Sequence, residues 1–144
     1  MYSIDTSSLI HGWTEAYPQT TFPALWDRIA ELVERDELVA SKSVYFEIED
    51  REDRLLEWAD DHEVMFLEDD EERQARVRAI FDEWPVEVDF TRRLTGADPF
   101  VIALAQERGL KVITEEVWVH ETWSTPEYRT LASIIGWGGP IFWA

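Results

Sequence analysis

The run Met1-Tyr2-Ser3-Ile4-Asp5 reads as a short strand that hands its carboxylate directly to Thr6-Ser7-Ser8, hydroxyl residues suited to starting a helix. Leu110-Lys111-Val112-Ile113-Thr114 repeats the device late in the chain and leads into the pair Glu115 and Glu116. What lies between alternates helix and strand, and that alternation leaves few folds open. From Phe22 to Asp36, Leu25, Ile29, Leu32 and Val33 recur at helical spacing with Trp26 on the same broad face. Glu37 to Ser41 reads as a strand. Ser43 to Asp50 then starts a helix in which Val44 and Ile48 face the core, with Glu47 one position off that seam and its carboxylate at the sheet edge.

Leu55, Leu56 and Trp58 begin another helical stretch, Val64 to Leu67 reads as a short strand or extended connector, and Asp69 to Trp84 returns to helix with Val77, Ile80 and Phe81 apolar. Pro85 stops that helix, and Val86 to Thr95 is a polar connector ending at Gly96. Asp98-Pro99 has the residue types of a helix cap followed by proline at the first helical position, and Gly109 supplies the stop. The order predicts a layered α/β domain with a mainly parallel sheet. At 144 residues and 45% hydrophobic content the chain makes one domain with a real core.

Residues 117–144 break with this character. They hold four of the eight tryptophans (Trp118, Trp123, Trp137 and Trp143) and carry a net charge of −1, against −17 for the first 116 residues. An aromatic interface and a replaced reading frame both account for such an ending. The formal charge of −18, with only Lys42 and Lys111 as lysines, fits a protein adapted to high salt, where screening relieves self-repulsion; an acidic protein with a basic partner is the other reading.

Several function classes drop out. With no cysteine there is no disulfide or thiolate metal site, so any metal takes oxygen ligands or the three histidines, and His11, His62 and His120 lack paired ligand spacing. No apolar run approaches the ~20 residues that span a bilayer, and the amino terminus lacks the basic stretch and apolar core of a secretory signal. The expected location is the cytoplasm, with no membrane partner.

Carboxylates at the carboxyl ends of parallel strands lie where open α/β sheets place their sites. Asp5, Glu47, Asp98, Glu115 and Glu116 are each at an element end or helix face, and together they make an oxygen donor set for a hard divalent cation, which needs two or three direct carboxylates and keeps several waters. Plainer readings stand beside this one. Asp98 caps a helix, Thr6, Ser7 and Ser8 cap another, Glu47 is a solvated helix residue, Glu71 to Arg78 is a salt-bridged helix face, and the tryptophans are core or interface. Arg51, Arg54, Arg73, Arg76, Arg92 and Arg93 are candidate phosphate contacts.

The segments Tyr2 to Ile10, Val44 to Ile48, Gly96 to Ala105 and Val112 to Glu116 resemble, in order and at domain-scale spacing, the motifs of PIN-domain nucleases. The likeness is greatest to VapC-like toxin relatives and covers roughly residues 1–116. It implies a three-layer α/β/α domain with a mainly parallel central sheet. It also implies a Mg²⁺- or Mn²⁺-dependent endoribonuclease with RNA as substrate, an antitoxin partner that blocks the site, and a homodimer. By position, Asp5 matches the first acid, Glu47 the helix-borne acid, Asp98 the acid opening the later helix and Glu116 the last acid, these four being the catalytic metal ligands. Glu115 competes with Glu116 for that role. Thr6 and Thr114 match hydroxyls that orient ligands or their waters. A catalytically impaired scaffold that binds a protein partner is the alternative. A phosphatase with Asp5 as nucleophile is weaker, because Ser7 stands where a second aspartate is required.

Overall fold

The computed structural model describes residues 1–51, 53–83, 96–115 and 128–129. Glu116, the connector 86–95 with Arg92 and Arg93, and nearly all of the aromatic segment 117–144 lie outside the described residues. Five strands form one sheet: β1 (Tyr2–Ile4), β2 (Leu38–Ser41), β3 (Phe66–Leu67), β4 (Lys111–Ile113) and β5 (Tyr128–Arg129). Their order is β3-β2-β1-β4-β5 and every pairing is parallel. The helices are α1 (Thr6–His11), continued by a π-helical turn Gly12–Ala16, α2 (Pro23–Glu34), α3 (Lys42–Glu49), α4 (Asp53–Asp61), α5 (Glu71–Glu83) and α6 (Asp98–Arg108). This is an α/β domain with a parallel sheet flanked by helices, the three-layer arrangement the sequence implied.

The chain steps outward from β1 to β2 to β3, then returns past β1 to lay down β4 on its other side. The reversal makes a topological switch between β1 and β4, the place where open α/β sheets form a crevice outside their carboxyl ends. Register fixes which residues meet there: Ile4 pairs with Ile113, and the Asp5 amide donates to the Ile113 carbonyl at 3.1 Å. β1 and β4 thus end side by side, at Asp5 and Thr114.

Helical period explains the core. Leu25, Ile29, Leu32 and Val33 of α2 are buried as their spacing requires, and all four residues of β2 are buried because central parallel strands are covered on both faces. Trp26, 2% exposed, donates its indole N–H to the Tyr17 carbonyl at 2.8 Å and meets Trp13 and Trp58 edge-on, with ring centroids 4.7 and 5.3 Å away. These three tryptophans are packing residues, and His62 stacks on Trp58 at 4.3 Å. α6 packs against β1, β2 and β4 and ends at Gly109 in the left-handed region (φ 64), where glycine has no Cβ penalty.

Four local expectations are corrected. β2 starts at Leu38, not Glu37. Val64 belongs to a 3₁₀ turn (Glu63–Met65) and is 77% exposed, leaving only Phe66–Leu67 as strand. In α5, Val77 and Ile80 are buried but Phe81 is 51% exposed, because it lies about 100° round the helix from Ile80. The cap of α6 is Ala97, and Asp98 is its first helical residue.

Candidate functional site

Asp5, not the hydroxyls that follow it, caps α1: Oδ1 accepts the Ser8 amide at 2.7 Å and Oδ2 the Ser7 hydroxyl at 3.0 Å. The strand runs straight into the helix, so the aspartate at the junction must serve as cap, and its carboxylate is held 6% exposed by neutral donors. Thr6, equally buried, turns its hydroxyl to Glu47 Oε2 at 2.5 Å. The other oxygen, Oε1, accepts the Ala97 amide at 2.9 Å. Ser41 caps α3 by accepting the Ser43 amide, and Val44 and Ile48 seat that helix in the core, leaving half-buried Glu47 to span the gap between α1 and the start of α6.

Gly96 makes this approach possible. Its φ is +56, and a Cβ placed on it would lie 1.8 Å from Glu47 Oε1. Asp98 follows two residues later, half-buried at the first position of α6, whose amino end reaches the carboxyl edge of the sheet; Ser3 Oγ donates to the Val101 carbonyl at 3.4 Å, which fixes α6 against β1. Thr114 is buried at the end of β4, and Glu115 beyond it is exposed. Tyr17 is raised above its ordinary phenol value by burial, with the Glu115 charge as the second cause, so Glu115 lies near the end of the π-helical turn.

The sequence-selected residues Asp5, Thr6, Glu47, Asp98 and Thr114 therefore gather at one edge. Glu116 lies outside the described residues. Among the described residues no three His, Cys, Asp or Glu side chains make a metal-holding group. The donors that are present fit a hard cation in kind, being carboxylate oxygens. Within the described ion pairs neither Asp5 nor Glu47 has a Lys or Arg partner. A cleft of about 450 Å³ lies among α3, α5 and α6, lined by Ser43, Phe46, Asp69, Arg78 and Phe100, and none of Asp5, Thr6, Glu47, Asp98 or Thr114 is part of its lining.

A second polar cluster on the same edge was not foreseen. Asp69, just past β3, accepts both Ser41 Oγ and Ser43 Oγ, at 2.7 and 2.6 Å from Oδ2, and pairs with Arg73 at 3.3 Å. Arg73 is 2% exposed and forks onto both oxygens of Glu107, Nε at 3.2 Å and Nη2 at 3.3 Å. Its donors are engaged inside the protein, so it is no phosphate contact; of the salt-bridged face expected over Glu71 to Arg78, Arg76 pairs with Glu72 at 3.9 Å while Arg73 makes its pairs inward. The sign of this was its spacing: Arg73, Val77 and Ile80 stand at i, i+4 and i+7 on the buried side of α5. Gly96 was missed as part of the site for a plainer reason, since a glycine at a turn carries no mark of what it approaches.

No curated protein matches the chain. The family pattern described as Domain of unknown function (DUF4411) matches residues 2–127, which spans every described strand but β5 and runs on past Glu116 into the aromatic segment; the chain belongs to the DUF4411 family.

Proposed function

We propose that this chain is a metal-dependent endoribonuclease that hydrolyses RNA phosphodiesters, acting in the cytoplasm as the toxin of a type II toxin–antitoxin pair. The observation that carries the reading is Asp5: a buried carboxylate at the carboxyl end of β1, beside the switch between β1 and β4, held by neutral donors with no described ion-pair partner. The resemblance to PIN-domain nucleases supports it from an independent direction.

In this reading Asp5, Asp98 and Glu116, with Glu115 as the competitor, face the cation, and Glu47 completes the edge. Bound Mg²⁺ or Mn²⁺ would supply activation of a water and neutralisation of charge on the phosphodiester. The chain's own part is to hold oxygen donors in place with the Ser7, Ser8 and Thr6 bonds and to keep Thr114 buried at the adjoining strand end. Exposed Arg51 and Arg54 remain candidates to meet RNA phosphates, whereas buried Arg73 does not. An antitoxin that covers the edge and a second copy of the chain are the partners this reading requires.

The deciding experiment is cleavage of RNA by wild type and Asp5→Asn with added Mg²⁺. The change removes a charge at nearly constant shape, so activity is lost while the far-ultraviolet circular dichroism is kept. Full activity in the variant rejects the site.

A second reading, a catalytically impaired scaffold that engages a protein partner, is favoured by one observation: among the described residues Asp5, Glu47 and Asp98 do not themselves form a metal-holding trio. Calorimetric titration with Mn²⁺ separates the two. Heat of binding that Asp5→Asn abolishes supports the nuclease; a flat titration of the folded wild type supports the scaffold.

A further inference from the structure

Glu47 holds three separate pieces of the edge together. It rises from α3, takes the Thr6 hydroxyl of α1 on one oxygen, and takes the Ala97 amide of the turn before α6 on the other. We infer that Glu47 is a positioning residue, a clamp that sets the turn carrying Asp98 against the start of α1, and that Gly96 is its matched partner. The inference rests on the metal-dependent reading for what the clamp serves, and assigns Glu47 a different part from a direct ligand.

The argument for a matched pair is steric. A left-handed φ alone is compatible with asparagine or aspartate, so φ +56 does not by itself demand glycine at position 96. A Cβ 1.8 Å from Glu47 Oε1 does, for as long as the carboxylate stays where it is. The argument for a clamp is chemical. Each Glu47 oxygen already holds one protein donor, and the two donors come from elements far apart in the chain. Loss of Glu47 leaves the Thr6 hydroxyl and the Ala97 amide without this partner and releases the turn that leads into Asp98.

Glutamine distinguishes a clamp from a ligand. Its amide oxygen can accept the Ala97 N–H while its NH₂ donates to the Thr6 oxygen, so Glu47→Gln keeps the clamp and discards the charge. Melting temperature and calorimetric Mn²⁺ affinity are measured for wild type, Glu47→Gln, Glu47→Ala, Gly96→Ala and the Glu47→Ala/Gly96→Ala double variant, with Asp5→Asn as the reference for a lost ligand.

The clamp predicts that Glu47→Gln melts and binds Mn²⁺ close to wild type, while Glu47→Ala melts lower and weakens Mn²⁺ binding by roughly 10–100-fold, as loss of an orienting partner does. Gly96→Ala lowers the melting temperature far less in the Glu47→Ala background than in wild type, because only backbone strain remains. Additive melting losses in the double variant overturn the matched pair. Glu47→Gln weakening Mn²⁺ as severely as Asp5→Asn overturns the positioning role and makes Glu47 a ligand. A wild type that binds no Mn²⁺ overturns the metal-dependent reading instead, and the melting cycle alone then upholds or rejects the clamp.

Discussion

Two polar clusters share the carboxyl edge of the sheet, and they solve the problem of buried charge differently. Beside β2 and β3, Asp69 and Glu107 share one buried cation, Arg73, whose side chain is 3% exposed, so a guanidinium bonds both acids and offsets one of their two charges. Beside β1 and β4, Asp5 and Glu47 are answered only by hydroxyls and amides among the described residues. Neutral donors stabilise a carboxylate without cancelling its charge. The first cluster is complete as it stands and reads as architecture. The second has no such cation among the described residues, and in the proposed reading a divalent ion would meet the charge of Asp5 there.

That contrast is open to direct attack, and the largest effect belongs to the closed cluster. Arg73→Met keeps bulk but strands two carboxylates, and unfolding free energy measured by urea denaturation falls by about 3–5 kcal/mol. Asp5→Asn acts in the opposite manner. RNA cleavage falls by more than the roughly 10–100-fold that loss of an outer-sphere partner costs, while the urea midpoint stays near that of wild type. If Asp5→Asn destabilises as much as Arg73→Met, both clusters are architecture and the distinction collapses.

A middling effect sharpens the comparison. Thr6→Val removes the hydroxyl from Glu47 Oε2 at nearly constant volume, and thermal denaturation registers a loss of about 1.5–3 kcal/mol, the range for a hydrogen bond to a charged group. The smallest effect lies outside both clusters. The Tyr45 hydroxyl donates to Asp60 at 2.7 Å, and this bond, ahead of desolvation and the charges of Asp60, Glu49 and Glu63, pushes its pKa up to about 12 from 10.0, while Lys42 sits 4.3 Å from the ring centroid. A folded pKa above the unfolded one means the contribution is present below pH 10.0 and fades as pH rises through about 12. Tyr45→Phe lacks that step, so the urea midpoints of the two proteins converge in this alkaline window; divergence there contradicts the assignment to Tyr45.

The sequence made the fold and the gathering of acids legible to different degrees, and the difference has a physical basis. Helical spacing in Leu25-Ile29-Leu32-Val33 and the apolar runs of β1 and β4 are local signals, so fold class and the edge location of Asp5 could be read from them. Strand order could not, because the register of Ile4 with Ile113 is decided by packing between distant segments. Capping went astray by one residue at each of two helix starts. Asp5 displaced the hydroxyls after it, and Ala97 took the place foreseen for Asp98, since the exact first residue of a helix is set by the chain's entry angle and not by side-chain type alone. The burial of Arg73 had a local sign in its i, i+4, i+7 spacing with Val77 and Ile80, whereas the fit between Glu47 and Gly96 had none.

The return of the chain across β1 also bears on timing. Asp5 acquires its neighbour on β4 only when segments from opposite ends of the described chain meet, and contacts of that kind close late because a long loop must be ordered first. A growing chain that has made β1, β2 and β3 already has the strands around the Asp69 cluster but not the strand that completes the switch. The edge credited here with hydrolysing RNA is therefore among the last parts of the molecule to exist, and a chain halted before β4 carries the first acid without the crevice.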